Sequence, residues 1–407
     1  LMMAILNRNQ ELPRDRSELY NQSSRLLLHQ WDVERTLLED NRLDPKTIDY
    51  QDKQQILAKV ADFMQSNQAG LAGNLISAED LERIIFDELK LREVTNPRAV
   101  AKVMINQLRT RNFILCFMGA DYYAFVHRTF LEYFCAREFV RKFEKKQEIS
   151  LEQLKTEVFG KHWRDEYWHE VLQLIVGMID SQKGGEIIEY LMAQGAVEDD
   201  FNNLFLAGDC LSEVRNRYEI KSTNIGLLNR VKDLIHYDLN STDNKYRDEA
   251  NLVRDIRTKA VVAVATHWQD HRDTLGLLKK LARSDTDLWV RATAIEQLAK
   301  SYKDHRDTLG LLKKLARSDT DLWVRVRAIE QLVQSYKDHK DTLALLKQSA
   351  RCDTDSEVRV RAIEQLAQGY KDHQYTLAIL EQSARCDTDS EVRCRAIEEL
   401  VKAYKDY

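Results

Sequence analysis

Proline and glycine are scarce, with 3 Pro and 13 Gly in 407 residues. Strand-rich folds need turn residues far more often, so helix should dominate. Cysteine is sparse too. The six stand at 116, 135, 210, 352, 386 and 394, with no C-x-x-C pair. A chain long enough for two to four domains needs no covalent staples, so reduced thiols in a cytoplasmic compartment are the expectation. Long apolar runs are missing. The best, LIVGMI at 174–179, falls well short of the roughly 18 residues that a membrane span requires. LMMAIL at the start has neither the basic leader nor the cleavage site of a signal peptide. No charge sign predominates: 61 Lys and Arg face 66 Asp and Glu, a net charge of −5. That balance steers the whole molecule toward neither nucleic acid nor an anionic membrane.

One further absence is chemical. No G-x-x-x-x-G-K-[ST] loop occurs, and Gly160-Lys161 is followed by His162. Without that cradle of backbone amides, its Lys and its Mg²⁺-holding hydroxyl, phosphoryl transfer has no machinery. No catalytic residue, no metal and no resident cofactor are therefore expected in this chain. No Ser-His-Asp or Cys-His set stands out either. His169-Glu170 begins like a metalloprotease motif, but position 173 is Gln. His162 and His169 are seven apart, two turns along one helix face. A packed, hydrogen-bonded pair is the expectation there over a metal site.

What is present is repetition. HRDTLGLLKKLARSDTDLWVR stands at 271–291 and again, letter for letter, at 305–325. HKDTLALLKQSARCDTDSEVR follows from 339 and HQYTLAILEQSARCDTDSEVR from 373, a period of 34 residues. Fixed-period self-similarity of this length means stacked supersecondary units. Each unit reads as two helices. Leu309, Leu312, Leu315 and Ala316 form one apolar stripe, and Val324, Ala328, Ile329, Leu332 and Tyr336 the other. Asp304 is the expected cap of a first helix, with Asp307 in its first turn. Thr354 and Glu357 are the expected capping box of a second helix. His271, His305, His339 and His373 recur beside the cap and read as turn residues.

The period also suits tetratricopeptide repeats, but their Trp, Leu-Gly, Tyr and Pro marks are absent. The recurring D-x-D-x-x-V-R-x-x-A-I-x-x-L instead resembles HEAT-like repeats. The resemblance implies a ladder between neighbouring units, built from a turn Asp and the Arg six residues later. The matching pairs are Asp285/Arg291, Asp319/Arg325, Asp353/Arg359 and Asp387/Arg393. A half-buried guanidinium needs a fixed carboxylate and turn carbonyls. Arg257, Ala260 and Trp268 align with Arg291, Ala294 and Tyr302, so a worn copy precedes these and the array should start near 245.

Trp289 and Trp323 fill a slot that holds Glu357 and Glu391 in later copies. Such a slot should face solvent, which makes the two Trp candidate partner contacts. Stacking of one Trp on the other is the competing reading. Lys and Arg gather on the first helices of two copies, but acids are interleaved, so a solvated face is expected.

The N-terminal part differs in character. Helices are predicted at 15–38, 52–65, 78–92 and 97–110. FILCF (113–117) and YYAFV (122–126) then flank MGAD and read as a hairpin turning at Gly119. The aperiodic stretch at 141–244 reads as helices, among them WRDEYWHEVLQLIVGMI, GGEIIEYLMAQ and FNNLFLAGDCLSEV.

RNQELPRDRSELYNQSSRLLLHQWD at 8–32 resembles the region just after the nucleotide-binding core of NACHT-type NTPases, in the STAND class of signalling ATPases. The hairpin followed by FVHRTFLEYF resembles the end of their winged-helix domain. The resemblance covers about 1–215. It implies a mainly α architecture: a winged-helix domain with a hairpin wing, a helical connector and an α-solenoid of HEAT-like repeats. The implied segments are 1–40, ending a helical domain after a missing core; 41–140, the winged helix; 141–244, the connector; and 245–407, the array. It implies that His127 contacts the phosphates of ADP held by a core lying before Leu1, with ADP or ATP and Mg²⁺ bound only by the intact protein. Capping the next helix is the other reading of His127, while Phe125, Phe130, Tyr133 and Phe134 are core on either. The implied function is the regulatory and sensor part of a bacterial-type signalling NTPase, in which the repeats bind a trigger: the partner is a protein trigger or the protein's own nucleotide-binding core, a nucleic-acid trigger is disfavoured, and oligomerisation is open to the intact protein. A stand-alone protein-binding scaffold and a nucleic-acid binder are the alternatives, and no membrane partner is expected.

Overall fold

The structure is a computed structural model that describes residues 13, 15–30, 48–67, 74–110, 112–195, 199–238 and 247–403. The chain is mostly helical and divides into two compact units, Leu1–Leu227 and Leu228–Tyr407. The expected boundary at 244/245 falls inside the second unit.

In the first unit, helix Arg16–Arg25 continues as a wider turn, Leu26–Gln30; residues 31–38 of the expected helix lie outside the described residues. Helices Tyr50–Asn67, Ala78–Leu91 and Pro97–Thr110 follow. Ser77 caps the second by accepting from the Asp80 N–H at 3.0 Å. Pro97 opens the third, where its missing N–H costs nothing. The hairpin is Leu115–Gly119 against Tyr122–Phe125; Ala120 and Asp121 make its turn at φ +47° and +61°, while Gly119, expected there, ends the first strand at φ +90° beside a bulge and pairs with Tyr122. A two-residue strand, Ile76–Ser77, adds to the far side of Tyr122–Phe125 and makes a three-stranded antiparallel sheet. Helix, strand, two helices and a hairpin are the winged-helix order.

Helix Arg128–Val140 leaves the hairpin and buries Phe130, Tyr133 and Phe134 beside Phe125 and Tyr20. The rings of Tyr20 and Tyr133 lie 5.5 Å apart and those of Tyr133 and Phe134 5.2 Å apart, an aromatic core. Burial pushes the Tyr133 phenol up to about 12. The connector contributes helices Glu166–Met178, Ser181–Ala193 and Asn202–Glu213. Asp165 and Asp180 cap the first two by accepting N–H groups at 3.0 Å. Gly185 is needed where Ile220 comes close, since a Cβ there would sit 2.5 Å from the Ile220 Cγ2.

In the second unit, helix Arg247–His267 precedes four helix pairs, running from Thr274–Ser284 with Leu288–Ser301 to Thr376–Cys386 with Ser390–Ala403. Val290, Ala294, Ile295 and Leu298 bury one face of a second helix, and their counterparts do so in the next two copies. Second helices of consecutive repeats pack closely on one another, whereas first helices touch little. The second helices therefore form the tight inner row of the stack.

Two expected caps differ from what the structure shows. Asp287, Asp321, Asp355 and Asp389 cap the second helices. Thr354 does not, because the second Asp of D-x-D already points at the helix N–H groups. The first helices at Arg306 and Lys340 are capped by His305 and His339, whose Nδ1 atoms accept the Asp307 and Asp341 N–H at 3.2 Å. In the first and fourth copies Asp273 and Tyr375 hold the cap position instead, and His271 and His373 are residues of the preceding turn, as expected.

Candidate functional site

The described ladder is finer than the expected Asp/Arg pairs. Arg257, Arg291, Arg325 and Arg359 each take a carboxylate from the following repeat, 28 residues on. Arg257 donates to Asp285 at 2.9 Å, Arg291 to Asp319, Arg325 to Asp353 at 3.1 Å, and Arg359 to Asp387 through two bonds at 2.9 and 3.0 Å. Within its own repeat the guanidinium meets main-chain carbonyl instead. Arg325, Arg359 and Arg393 reach the carbonyls of Asp319, Asp353 and Asp387 at 2.9, 2.9 and 2.7 Å, and Arg291 reaches that of Ala282 at 3.3 Å.

Each D-x-D turn thus divides its labour. The first Asp holds the preceding repeat's Arg and its own turn N–H, as Asp353 does for the Asp355 N–H at 3.1 Å. The second Asp caps the helix. The carboxyl of Asp387 lies below the usual carboxylate range. Burial raises it most, but the Arg359 hydrogen bonds, the Asp389 N–H and the charges of Arg359 and Arg393 outweigh that.

Further rungs went unread in the sequence although they recur at the same period. Tyr302, Tyr336 and Tyr370 donate to the carbonyls of Gln269, Lys303 and Lys337 at 2.6 Å. Lys279 and Lys313 reach Asp307 and Asp341 at 2.9 and 2.5 Å. Where the fourth copy has Tyr375 in that slot, Lys347 lies 4.4 Å from its ring instead. On the second helices Arg361 stands between Glu330 and Glu364 at 3.2 and 2.7 Å, and Arg395 between Glu364 and Glu398 at 3.1 and 3.0 Å.

Trp289 and Trp323 are 55% and 56% exposed. Among the described residues no ring contact joins them. The Arg254 guanidinium lies 5.4 Å from the Trp289 ring centre.

His127 is exposed and is the backbone cap of helix Arg128–Val140, yet its side chain makes no capping bond. The imidazole is therefore not occupied in the way the capping reading requires. Its neighbour Arg128 is committed: it bonds Glu132 at 2.8 Å and lies over the Tyr167 ring at 5.2 Å. Burial nevertheless raises the Glu132 carboxyl above its ordinary value. Val126, its chain neighbour, is exposed, as are Phe117, Met118 and Tyr122 farther along the hairpin. One imidazole beside apolar side chains can supply a single phosphate contact and cannot cradle a nucleotide alone. The shallow groove of about 480 Å³ beside Phe143 and Lys183 does not help, since Glu144 and Glu148 line it.

Arg16 is a hub that sequence reasoning missed. It bonds Glu213 at 2.7 Å and also Glu170, joining the first helix to two connector helices. Burial raises the Glu213 carboxyl although Arg16 pulls it down. These contacts span 154 and 197 residues of sequence, so no local pattern announces them.

His162 and His169 do not share one helix face, because the chain breaks helix before Asp165. His162 stacks on Trp168 at 3.8 Å, and His169 Nε2 bonds the Trp163 carbonyl at 2.8 Å. Among the described residues, no group of His, Cys, Asp and Glu is placed to hold a metal, and no helix is long and apolar enough to cross a membrane.

Residues 16–139 match the family described as the winged helix-turn-helix domain C-terminal to NACHT. Residues 253–333 and 275–367 match HEAT repeats. A comparison with curated proteins found no match. The chain therefore carries a winged helix-turn-helix domain of the kind that lies C-terminal to NACHT, followed by HEAT repeats: a NACHT-associated regulatory region.

Proposed function

We propose that this chain is the regulatory and sensor portion of a NACHT-type signalling ATPase of the cytoplasm. The observation that carries the reading is the order of the two matched families: the NACHT-associated winged helix first, the HEAT repeats after it. The array binds a protein trigger, and the winged helix holds the resting state. Nucleotide and Mg²⁺ belong to a NACHT module, because this sequence has no phosphate loop. In that arrangement His127 donates to a phosphate of ADP and loses the contact when the winged helix swings away. A trigger that carries the balance from 1:99 to 99:1 must prefer the open state by about 5.5 kcal/mol. An array of stacked helix pairs offers a surface large enough for that. The open state then allows nucleotide exchange and oligomerisation.

A nucleic-acid trigger fits poorly. Arg361 and Arg395 on the inner helices each stand between two carboxylates. The wing is apolar and carries Asp121 at its turn. The test uses the protein joined to its NACHT module: His127→Ala should shorten ADP retention about tenfold, the worth of one charge-assisted hydrogen bond. Unchanged retention and unchanged basal signalling would remove His127 from the latch.

A further inference from the structure

The second residue of every second helix forms one row along the array: Trp289, Trp323, Glu357 and Glu391. Each has its N–H held by the capping Asp two residues earlier, at 2.8, 2.9, 3.0 and 2.8 Å. The four side chains therefore leave the stack at equivalent places, one repeat apart. Packed helices stand about 10 Å apart, so the row is roughly 30 Å long. That step is too wide for one Trp ring to stack on the next, which needs about 4.5–7 Å between centres.

The row changes chemistry along its length. Two large aromatic side chains are more than half exposed at one end. They are not there to fill the stack, because the same slot accepts Glu in the next two copies. At the other end stand two carboxylates, and among the described residues neither Glu357 nor Glu391 has an ion-pair partner. The basic residues one turn along, Arg361 and Arg395, are already held by Glu330, Glu364 and Glu398. The acid end, with Glu391 exposed and Glu357 half-buried, is thus left to an outside cation; at the aromatic end the Arg254 guanidinium lies 5.4 Å from the Trp289 ring centre, and the remaining ring surface is left to an outside apolar group.

We infer that this row docks a protein segment that is apolar at one end and basic at the other. Its apolar side chains cover Trp289 and Trp323, and its Lys or Arg side chains reach Glu357 and Glu391. An extended segment of about nine residues spans the row at about 3.3 Å per residue. Exposed Trp makes an efficient anchor because it buries much area at little cost in side-chain entropy. A phosphate-bearing strand is the wrong ligand, since it would meet the two free carboxylates.

The inference rests on the array being a protein-binding surface and names the segment it takes. The test uses the whole chain and two labelled peptides of about twelve residues. Both carry Leu and Pro in the first half; one has Lys and Arg in the second half, the other Asp and Glu. Fluorescence anisotropy should show binding of the basic-tailed peptide and none of the acidic one. Trp289→Ala with Trp323→Ala should weaken it about tenfold or more. Glu357→Lys with Glu391→Lys should exchange the preference, so that the acidic-tailed peptide binds. That gain of binding keeps the test independent of simple loss of fold. Failure of the basic-tailed peptide to bind, or affinity indifferent to tail charge and to both pairs of substitutions, overturns the row. A protein trigger that crosslinks to the array elsewhere would sink the row while leaving the sensor reading standing.

Discussion

Arg325 and Asp353 belong to different repeats and meet at 3.1 Å, with both side chains almost wholly buried. The same guanidinium holds the carbonyl of Asp319 at 2.9 Å in its own repeat. One side chain therefore fixes a turn and joins two units. A rigid stack results, because no repeat can rotate against its neighbour without leaving a buried charge unpaired.

Asp353→Ala should accordingly cost about 3 kcal/mol, the penalty for stranding one partner of a buried pair. The Asp355 N–H loses its acceptor as well. Asp341→Ala offers the contrast. Its pair with Lys313 is more exposed than the Arg325 pair, so the loss should be smaller. Urea unfolding followed by helical circular dichroism measures both, and equal losses would refute the ladder's structural weight.

Gly276 and Gly310 lie exposed inside the first helices of two repeats, and a Cβ at either meets nothing within 4 Å. The third and fourth copies carry Ala344 and Ala378 in that slot. Gly276→Ala and Gly310→Ala should each stabilise the array by roughly 0.5–1 kcal/mol, mainly by restricting the unfolded chain. The two gains should add, since the sites share no partner. A lower unfolding midpoint in either variant would contradict the close equivalence of the four copies.

The array was the most legible part of the chain, because its period, helix pairs and D-x-D turns repeat in the letters. The Tyr and Lys rungs repeat as visibly and were readable in principle. The caps were not. Asp304 and His305 are adjacent and both polar, and only the backbone decides that His305 aims at the Asp307 N–H. Strand Ile76–Ser77 has two residues, too few to show alternation. The Arg16 hub joins side chains from three helices, so its chemistry exists only after folding. His127 was visible only through its resemblance; nothing in its spacing distinguishes a phosphate contact from a cap.

Acid should loosen the last repeat through Asp387. Its carboxyl is depressed in the folded chain, so the folded state binds this proton less readily than the unfolded state does. Stability from the Arg359 pair is then complete above the ordinary Asp value and is lost as pH falls through the depressed one. Asp387→Asn removes the charge at every pH. It should destabilise the array near neutrality, and the gap to the parent chain should shrink steadily as pH falls below the ordinary carboxylate range. Hydrogen exchange of helices Thr376–Cys386 and Ser390–Ala403 reads this locally. A gap that stayed constant with pH would mean that Asp387 acts through its shape and its hydrogen bond to the Asp389 N–H, and that the ion pair with Arg359 contributes nothing.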